Sequence, residues 1–426
     1  MTILVILLFF VFLLIGIPIS IVLGMTTVLY FLLVGSPVLL QSTPMRLFSG
    51  LENFGLLAIP LFMLAGELMN SGGITTRLVK FSKVLIGHVR GGLAYVTIIS
   101  NMIIASILGS ANAQAAMMSK VMVPEMEKEG YNKEFSAALT LASSIVAPII
   151  PPSMIFIIYG TLSGTSIGGL FMAGIIPGIM YGIGFIGLIG YLGYKYNFPK
   201  SERASIKEVL RHALYVIPAL SVPFIIIFGI LSGAFTPTES AAVACLIALL
   251  VGTFLYKELK WKHIPKLLIN TVVSTATVTF LIAMANIFGW MIAFEQIPQM
   301  FANGFLSLSD NPLVFLLLVN LMLLLLGAVL DGIAALIILI PVLMPLVIAF
   351  NIDPIHFGVI ICINLTIGLL TPPVGTGLFI VSSITGVKIE RLVRATTPFL
   401  IMGIFILLII TYWSDAVLII PRMLGF

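Results

Sequence analysis

Two stretches of this chain, about 220 positions apart, each carry a pair of adjacent prolines inside an otherwise apolar run. The first reads SIVAPIIPPSMIFIIYG, with Pro151 and Pro152; the second reads LTIGLLTPPVGTGLFIV, with Pro372 and Pro373. Proline lacks a backbone donor and clashes with the preceding helical turn, so a pair of them interrupts a helix. The surrounding landmarks keep step. Leu108-Gly109 answers Leu326-Gly327, Phe135 answers Phe357, Gly164 answers Gly386, and Pro177 answers Pro398. Duplicated apolar units with broken helices in matching places are the signature of a secondary transporter whose site lies at the repeat interface.

Only 9% of the 426 residues are charged, 60% are hydrophobic, and mean hydropathy is +1.22. A soluble domain carries about a quarter of its residues as charges, so this composition cannot coat a water-exposed globule. Long apolar runs without strict alternation exclude a β-barrel and leave an all-α polytopic membrane protein. The opening segment lacks a basic leader region and stays apolar beyond a signal-peptide core, so residues 3–35 are read as an uncleaved first span. Cys245 and Cys362 sit in apolar runs and propose neither a disulfide framework nor a metal site. His88, His212, His263 and His356 lie outside the apolar cores and show no ligand spacing. The net charge of +5 reports orientation in such a chain rather than nucleic-acid binding.

All 21 basic residues except Arg46 and Arg422 fall into five clusters. They lie at 77–90, 120–133, 195–211, 257–266 and 388–394. With every cluster cytoplasmic, as the positive-inside rule prefers, the segment 92–124 must enter and leave on one side. Its length is too short for two crossings of about 20 residues, so it reads as a re-entrant hairpin tipped near GSANAQAA. Segment 312–347, flanked by loops without a basic residue, reads as a second hairpin entering from the opposite face. Nine crossings follow, at 3–35, 54–72, 135–160, 166–194, 213–233, 236–256, 267–291, 355–384 and 396–413. The N-terminus is then cytoplasmic and the C-terminus outside. Repeat one (54–194, broken helix 135–160) and repeat two (267–413, broken helix 355–384) are inverted, joined by a two-span connector at 195–266.

Segment 74–90, with Leu78, Phe81, Leu85 and Val89 on one face, reads as an interfacial amphipathic helix, and 201–212 and 257–266 as shorter ones. A solvated basic loop is the alternative for each.

Breaking a helix within a bilayer strands backbone groups that lipid cannot satisfy, so such backbone lines a protein cavity or binds an ion. Carbonyls freed at Ala147, Pro148 and Ile150, and at Leu370–Thr371, suit a hard monovalent cation. Half-helix N-termini offer amides to an anion. The hairpin tips add Ser110, Asn112 and Gln114 in the first and Gly327 and Asp331 in the second, while Thr371, Gly375 and Thr376 flank the second break. Pairing each tip with its own break gives two related candidate cation sites. An anion site lies between them, drawing on Ser110, Asn112, Ser153, Asp331 and Thr376. Mere kinking is the competing explanation of a proline pair, and helix packing that of Ser110.

A carboxylate at mid-bilayer depth costs about 2.5–3.5 kcal/mol on insertion scales, which marks Asp331 as cation ligand, proton site or substrate contact. Glu239, in FTPTESAAVA, is either the reciprocal partner of Thr236 in a capping box or a transport residue. Glu67 is read as structural. No lysine or arginine falls at mid-membrane depth, so an anionic substrate must rely on hydroxyls, amides and co-bound cations. No Ser/His pair, HExxH or paired intramembrane aspartates supports an intramembrane enzyme.

ENFGLLAIPLFMLAGELM, GSANAQAAM, IIPPSMIFIIYG, FTPTESAAVA and LTPPVGTGLF together resemble the large membrane subunit of tripartite ATP-independent periplasmic (TRAP) transporters. The likeness covers essentially the whole chain. More distantly, the chain is similar to inverted-repeat symporters of divalent anions. The resemblance implies an elevator in which hairpins and broken helices carry substrate across a static scaffold in the inner membrane, driven by Na+ rather than ATP. In that membrane the outside C-terminus is periplasmic. It also implies two partners, a small four-helix membrane subunit and a soluble periplasmic binding protein. The substrate would be an organic acid: sialic acid on overall likeness, otherwise a C4-dicarboxylate or another sugar acid. A stand-alone cation-coupled symporter or antiporter is the second reading.

Overall fold

The computed structural model describes residues 2–200, 204–300, 304 and 309–426, and among these no strand occurs. Arg203 of the third basic cluster lies outside the described residues. Among the described residues, seven helices are long and apolar enough to cross a membrane.

The segment 3–35 is not one span. It forms α1 (Thr2–Leu14) and α2 (Ile19–Val34), separated at Gly16, whose φ is +85°, and Pro18. Glycine takes that left-handed backbone without a Cβ clash, and proline cannot continue the helix. Helix α3 (Pro37–Ser49) follows, then α4 (Ala58–Ser71) behind a short 3-10 turn at Phe54–Leu57. Helix α2 lies along α13 (Ile264–Phe294), which also packs on α4.

Helix α5 (Ile74–Ile86) is amphipathic, but its buried face is Ile74, Thr75, Leu78, Val79 and Ser82. Leu85 and Val89 are exposed. That buried face rests on α11 (Ile206–Leu231) and α6 (Gly92–Leu108). The two shorter amphipathic segments are not separate surface helices. Residues 206–212 are the first turns of α11, begun by a Ser205–Glu208 capping box, and Trp261–His263 runs directly into α13. Helix α12 (Pro237–Leu250) ends in a π-helical turn at Val251–Leu255.

The chain reverses between α6 and α7 (Ala111–Lys128) at Gly109, which has φ +58°. Across this hairpin, Gln114 Nε2 donates to both the carbonyl and the side-chain oxygen of Asn101, each at 2.7 Å. A second hairpin joins α14 (Pro312–Gly327) to α15 (Gly332–Ala349), and its open end is closed by Phe315 stacked on Phe350 with centroids 4.5 Å apart. Each hairpin leads into an interrupted helix. The first is α8 (Lys133–Ser144) and α9 (Met154–Ser163); the second is α16 (Pro354–Gly368) and α17 (Thr376–Thr385). Both proline pairs have cis peptide bonds. Long helices follow each, α10 (Ile167–Lys195) and α18 (Ile389–Tyr412). A short α19 (Ser414–Met423) then folds back onto α10.

Sequence punctuation accounts for these boundaries. Asn132, Ser153, Ser166, Asn311 and Asp353 each accept a backbone N–H at the start of a helix. Gly164 and Gly386 end α9 and α17 in the left-handed conformation. These are the side-chain and glycine signals that satisfy orphan groups at helix ends.

Buried amides tie each hairpin to its interrupted helix. Asn101 Nδ2 donates to Ser143 Oγ at 2.6 Å. In the second half, Asn364 Nδ2 donates to Asn320 Oδ1 at 2.8 Å, and Asn320 Nδ2 to Thr411 Oγ1 at 2.9 Å. His356 is buried rather than outside the core, with Nε2 2.9 Å from the Ile410 carbonyl. Cys245 and Cys362 are free thiols.

Candidate functional site

The two hairpin tips meet at a cleft of about 60 Å³. One wall is Gly109–Asn112 with Pro148, Met154 and Ile155; the other is Asp331–Ile333 with Leu365, Thr366 and Leu369. Four of the residues singled out from the sequence line it: Ser110, Asn112, Pro148 and Asp331.

Local sequence explains how each is presented. Ser110 is the N-cap of α7, its Oγ 3.5 Å from the Ala113 N–H, so its hydroxyl is only weakly engaged. Asp331 is the N-cap of α15, its Oδ1 accepting from Ile333 N at 3.0 Å. It is therefore an exposed residue at the tip, held at a helix N-terminus where the dipole stabilises a carboxylate. Asn112 reaches across the repeats, its amide 3.4 Å from the Thr376 hydroxyl at the start of α17.

The tips are seated by close backbone approaches. A Cβ on Gly109 would lie 3.0 Å from the Pro152 carbonyl oxygen. In the second half Gly327 and Gly368 touch backbone to backbone, and a Cβ on Gly368 would stand 2.4 Å from the Gly327 oxygen. The Ala328 carbonyl accepts from both Val374 and Gly375 N–H, at 3.1 and 3.2 Å.

The remaining candidates do not line the cleft. Ala147, Ile150, Thr371 and Gly375 belong to the breaks. Ser153 is fully buried, donating to the Pro148 carbonyl and accepting from Phe156 N. Thr371 Oγ donates to the Ile367 carbonyl at 3.1 Å. The first break is buried, whereas Pro372, Pro373 and Val374 of the second are exposed. Gln114 does not reach the cleft but holds Asn101. Thr366, which sequence reasoning passed over, lines the cleft while its hydroxyl donates to the Cys362 carbonyl at 2.7 Å. Its counterpart seven residues before Pro152 is Ile145, so the duplication gave no signal for it.

The oxygens at this cleft fit a hard monovalent cation rather than a transition metal. No group of three His, Cys, Asp or Glu suited to a metal ion occurs among the described residues. Glu239 forms the capping box with Thr236. Its carboxylate accepts from Thr236 N at 2.8 Å, and its own N–H donates to Thr236 Oγ at 3.3 Å. Glu239 is exposed and does not line the cleft.

Comparison with known proteins follows this geometry. The model of the "Tripartite ATP-independent periplasmic transporter, DctM component" family matches residues 6–416. The Vibrio cholerae "Sialic acid TRAP transporter large permease protein SiaM" is 41% identical, covering 89% of this chain and 88% of that protein. The Pseudomonas aeruginosa "C4-dicarboxylate TRAP transporter large permease protein DctM" is 37% identical, covering 94% and 93%. A longer relative is the Haemophilus influenzae "Sialic acid TRAP transporter permease protein SiaT". It is 36% identical over 96% of this chain but only 66% of its own length. The crystal structure of the Alcanivorax borkumensis YdaH transporter shares the fold, with TM-score 0.63 over 96% of this chain and 98% of that one at 14% identity. These relatives are permeases, and this protein is a transporter rather than an enzyme. With matched hairpins meeting at one cleft and a family model spanning nearly its full length, the chain is a large permease of the DctM family of tripartite ATP-independent periplasmic transporters.

Proposed function

We propose that this permease imports an organic acid across the inner membrane, driven by sodium, with substrate handed over by a periplasmic binding protein. The observation that carries the reading is the convergence of Ser110, Asn112, Pro148 and Asp331 on one cleft between the two hairpin tips. Pro148 O retains a lone pair beyond its bond from Ser153, and Asp331 uses only Oδ1 on backbone, so oxygen ligands are free for Na+. Ala147, Ile150, Thr371 and Gly375 supply backbone and hydroxyl oxygens at the two breaks and Gly327 a carbonyl at the second hairpin, and Ser153 and Thr376 stand at the half-helix starts. A co-bound cation beside these groups gives a carboxylate the positive charge that no mid-membrane lysine or arginine provides. Coupling is then strict, because an empty cation site leaves the acid little to bind.

The cleft is far smaller than the roughly 300 Å³ of a typical small-molecule site, so substrate entry requires the tips to part. The two halves run as inverted repeats. An elevator motion of the hairpins and interrupted helices against α2, α4, α5 and α11–α13 opens the cleft to each side in turn. Sialic acid is the first substrate to test, on the name of the Vibrio relative, and C4-dicarboxylates the second, on that of the Pseudomonas one. A small membrane subunit is the second partner in this reading, as expected of a large permease of this family.

Uptake into proteoliposomes carrying both membrane subunits, supplied with binding protein and labelled acid, tests the proposal. Accumulation should require an inward sodium gradient. Uptake that persists in sodium-free choline buffer would overturn the coupling. Uptake by this chain alone would favour a stand-alone symporter.

A further inference from the structure

A second cavity lies away from the hairpin tips. It has a volume of about 470 Å³ and lies where the exit of the first hairpin meets the end of α10 and the start of α18. Its volume is within the range of ordinary ligand sites. Tyr131, Phe135, Phe198 and Phe399 form a continuous aromatic wall, with Phe198 centroids 5.3 Å from Tyr131 and 4.8 Å from Phe135. The wall is apolar, but the mouth is charged. Arg391 is engaged with Glu134 at 3.2 Å, whereas Arg394, on the cavity itself, pairs with no described carboxylate.

Position along the helices sets the depth of this cavity. Helices α10 and α18 are both apolar spans, and the cavity sits at the last turn of one and the first turns of the other. Lys195 and Arg391 mark those ends. Tyr191, Tyr194 and Tyr196 are all more than 60% exposed beside them. Exposed tyrosines with lysine and arginine at span ends mark the headgroup level of a bilayer. An aromatic chamber opening at that level, with one uncompensated guanidinium, suits an amphiphile that has an anionic head and a hydrocarbon body.

We infer that this cavity is a binding site for a phospholipid of net negative headgroup charge. The acyl portion lies against Phe135, Phe198 and Phe399, and the head is held by Arg394. The site is distinct from the transport cleft and does not depend on which side of the membrane it faces.

Tryptophan quenching reads this occupancy directly. Tyr196→Trp places a reporter at the mouth, and Phe198→Trp, made separately, places one on the wall. The three native tryptophans, corrected for with the unmodified protein, lie elsewhere in sequence. In phosphatidylcholine nanodiscs, brominated phosphatidylglycerol should reach half-quenching at a mole fraction about fivefold lower than brominated phosphatidylcholine does. Arg394→Gln should remove that preference, which is the factor expected for one cationic side chain near an anionic surface. Equal half-quenching for the two lipids, or a preference that survives Arg394→Gln, overturns the proposal. In detergent micelles, glycerol phosphate at millimolar concentration should fail to displace the brominated lipid. Displacement by it would make this a soluble-anion site and overturn the lipid as occupant.

Discussion

Replacing Gly368 by alanine puts a methyl group 2.4 Å from the Gly327 carbonyl oxygen, 2.5 Å from its carbon and 2.7 Å from its Cα. All three are backbone atoms, so no rotamer change relieves the clash. The second hairpin tip must back away until the contact reaches at least 3.4 Å. Two consequences follow. Overpacking of this kind costs about 1–3 kcal/mol. The Ala328 carbonyl, next to Gly327, is also drawn from Val374 and Gly375 N–H, at a net loss of about 1 kcal/mol for each bond broken. Asp331, four residues beyond Gly327, moves with the tip and away from Ser110 and Asn112. At a factor of ten for each 1.36 kcal/mol, uptake in the reconstituted system should fall about tenfold or more. The variant should still insert, with a lowered melting temperature in detergent. Gly187→Ala is the matched control, because a Cβ there meets nothing within 4 Å. Wild-type uptake and melting in Gly368→Ala would refute the seating of the tip on α16.

Further outcomes are expected elsewhere. Asp331→Asn should abolish or severely reduce sodium-driven uptake with a melting temperature close to that of the parent, since the amide oxygen can still accept from Ile333 N. Ser110→Ala should reduce uptake as strongly, at a stability cost no larger than that of a lost cap, about 0.5–2 kcal/mol; unchanged uptake in both would remove them from the site. Glu239→Ala should lower stability by about 0.5–2 kcal/mol, the usual cost of a lost cap, with transport retained. Glu239→Gln should keep most of the capping box, and loss of uptake at unchanged melting would point to a transport role instead. Asn320→Leu takes from Asn364 its side-chain acceptor and from Thr411 its amide donor in a low-dielectric interior. It should destabilise by about 1–3 kcal/mol, read as a drop in melting temperature larger than that of Glu239→Ala.

Much of this architecture was legible because the chain punctuates itself. Paired prolines, glycines and capping residues mark the ends of α8, α9, α16 and α17. The first apolar segment misled because hydropathy alone cannot tell one long span from two helices joined at Gly16 and Pro18. Its 33 residues would make a helix of about 50 Å against a hydrocarbon core of about 30 Å, so length was the overlooked clue. His356 was misplaced for a different reason. Its burial depends on α18 supplying the Ile410 carbonyl, a tertiary contact that no local pattern announces. For the site, polar residues at the tips were visible as anomalies in apolar surroundings, whereas Thr366 looked like an ordinary helix residue. Which groups share a cleft depended on packing between the halves.

That packing is reciprocal. The returning arm of the first hairpin, α7, lies on α17 of the second half, and the returning arm of the second, α15, lies on α9 of the first. Each half therefore builds the resting place of the other's hairpin, and neither contains a finished binding surface. Split between two polypeptides at the 195–266 connector, the protein would be expected to work only when both fragments are made together. A change confined to one half cannot retune the substrate chamber without the consent of its twin.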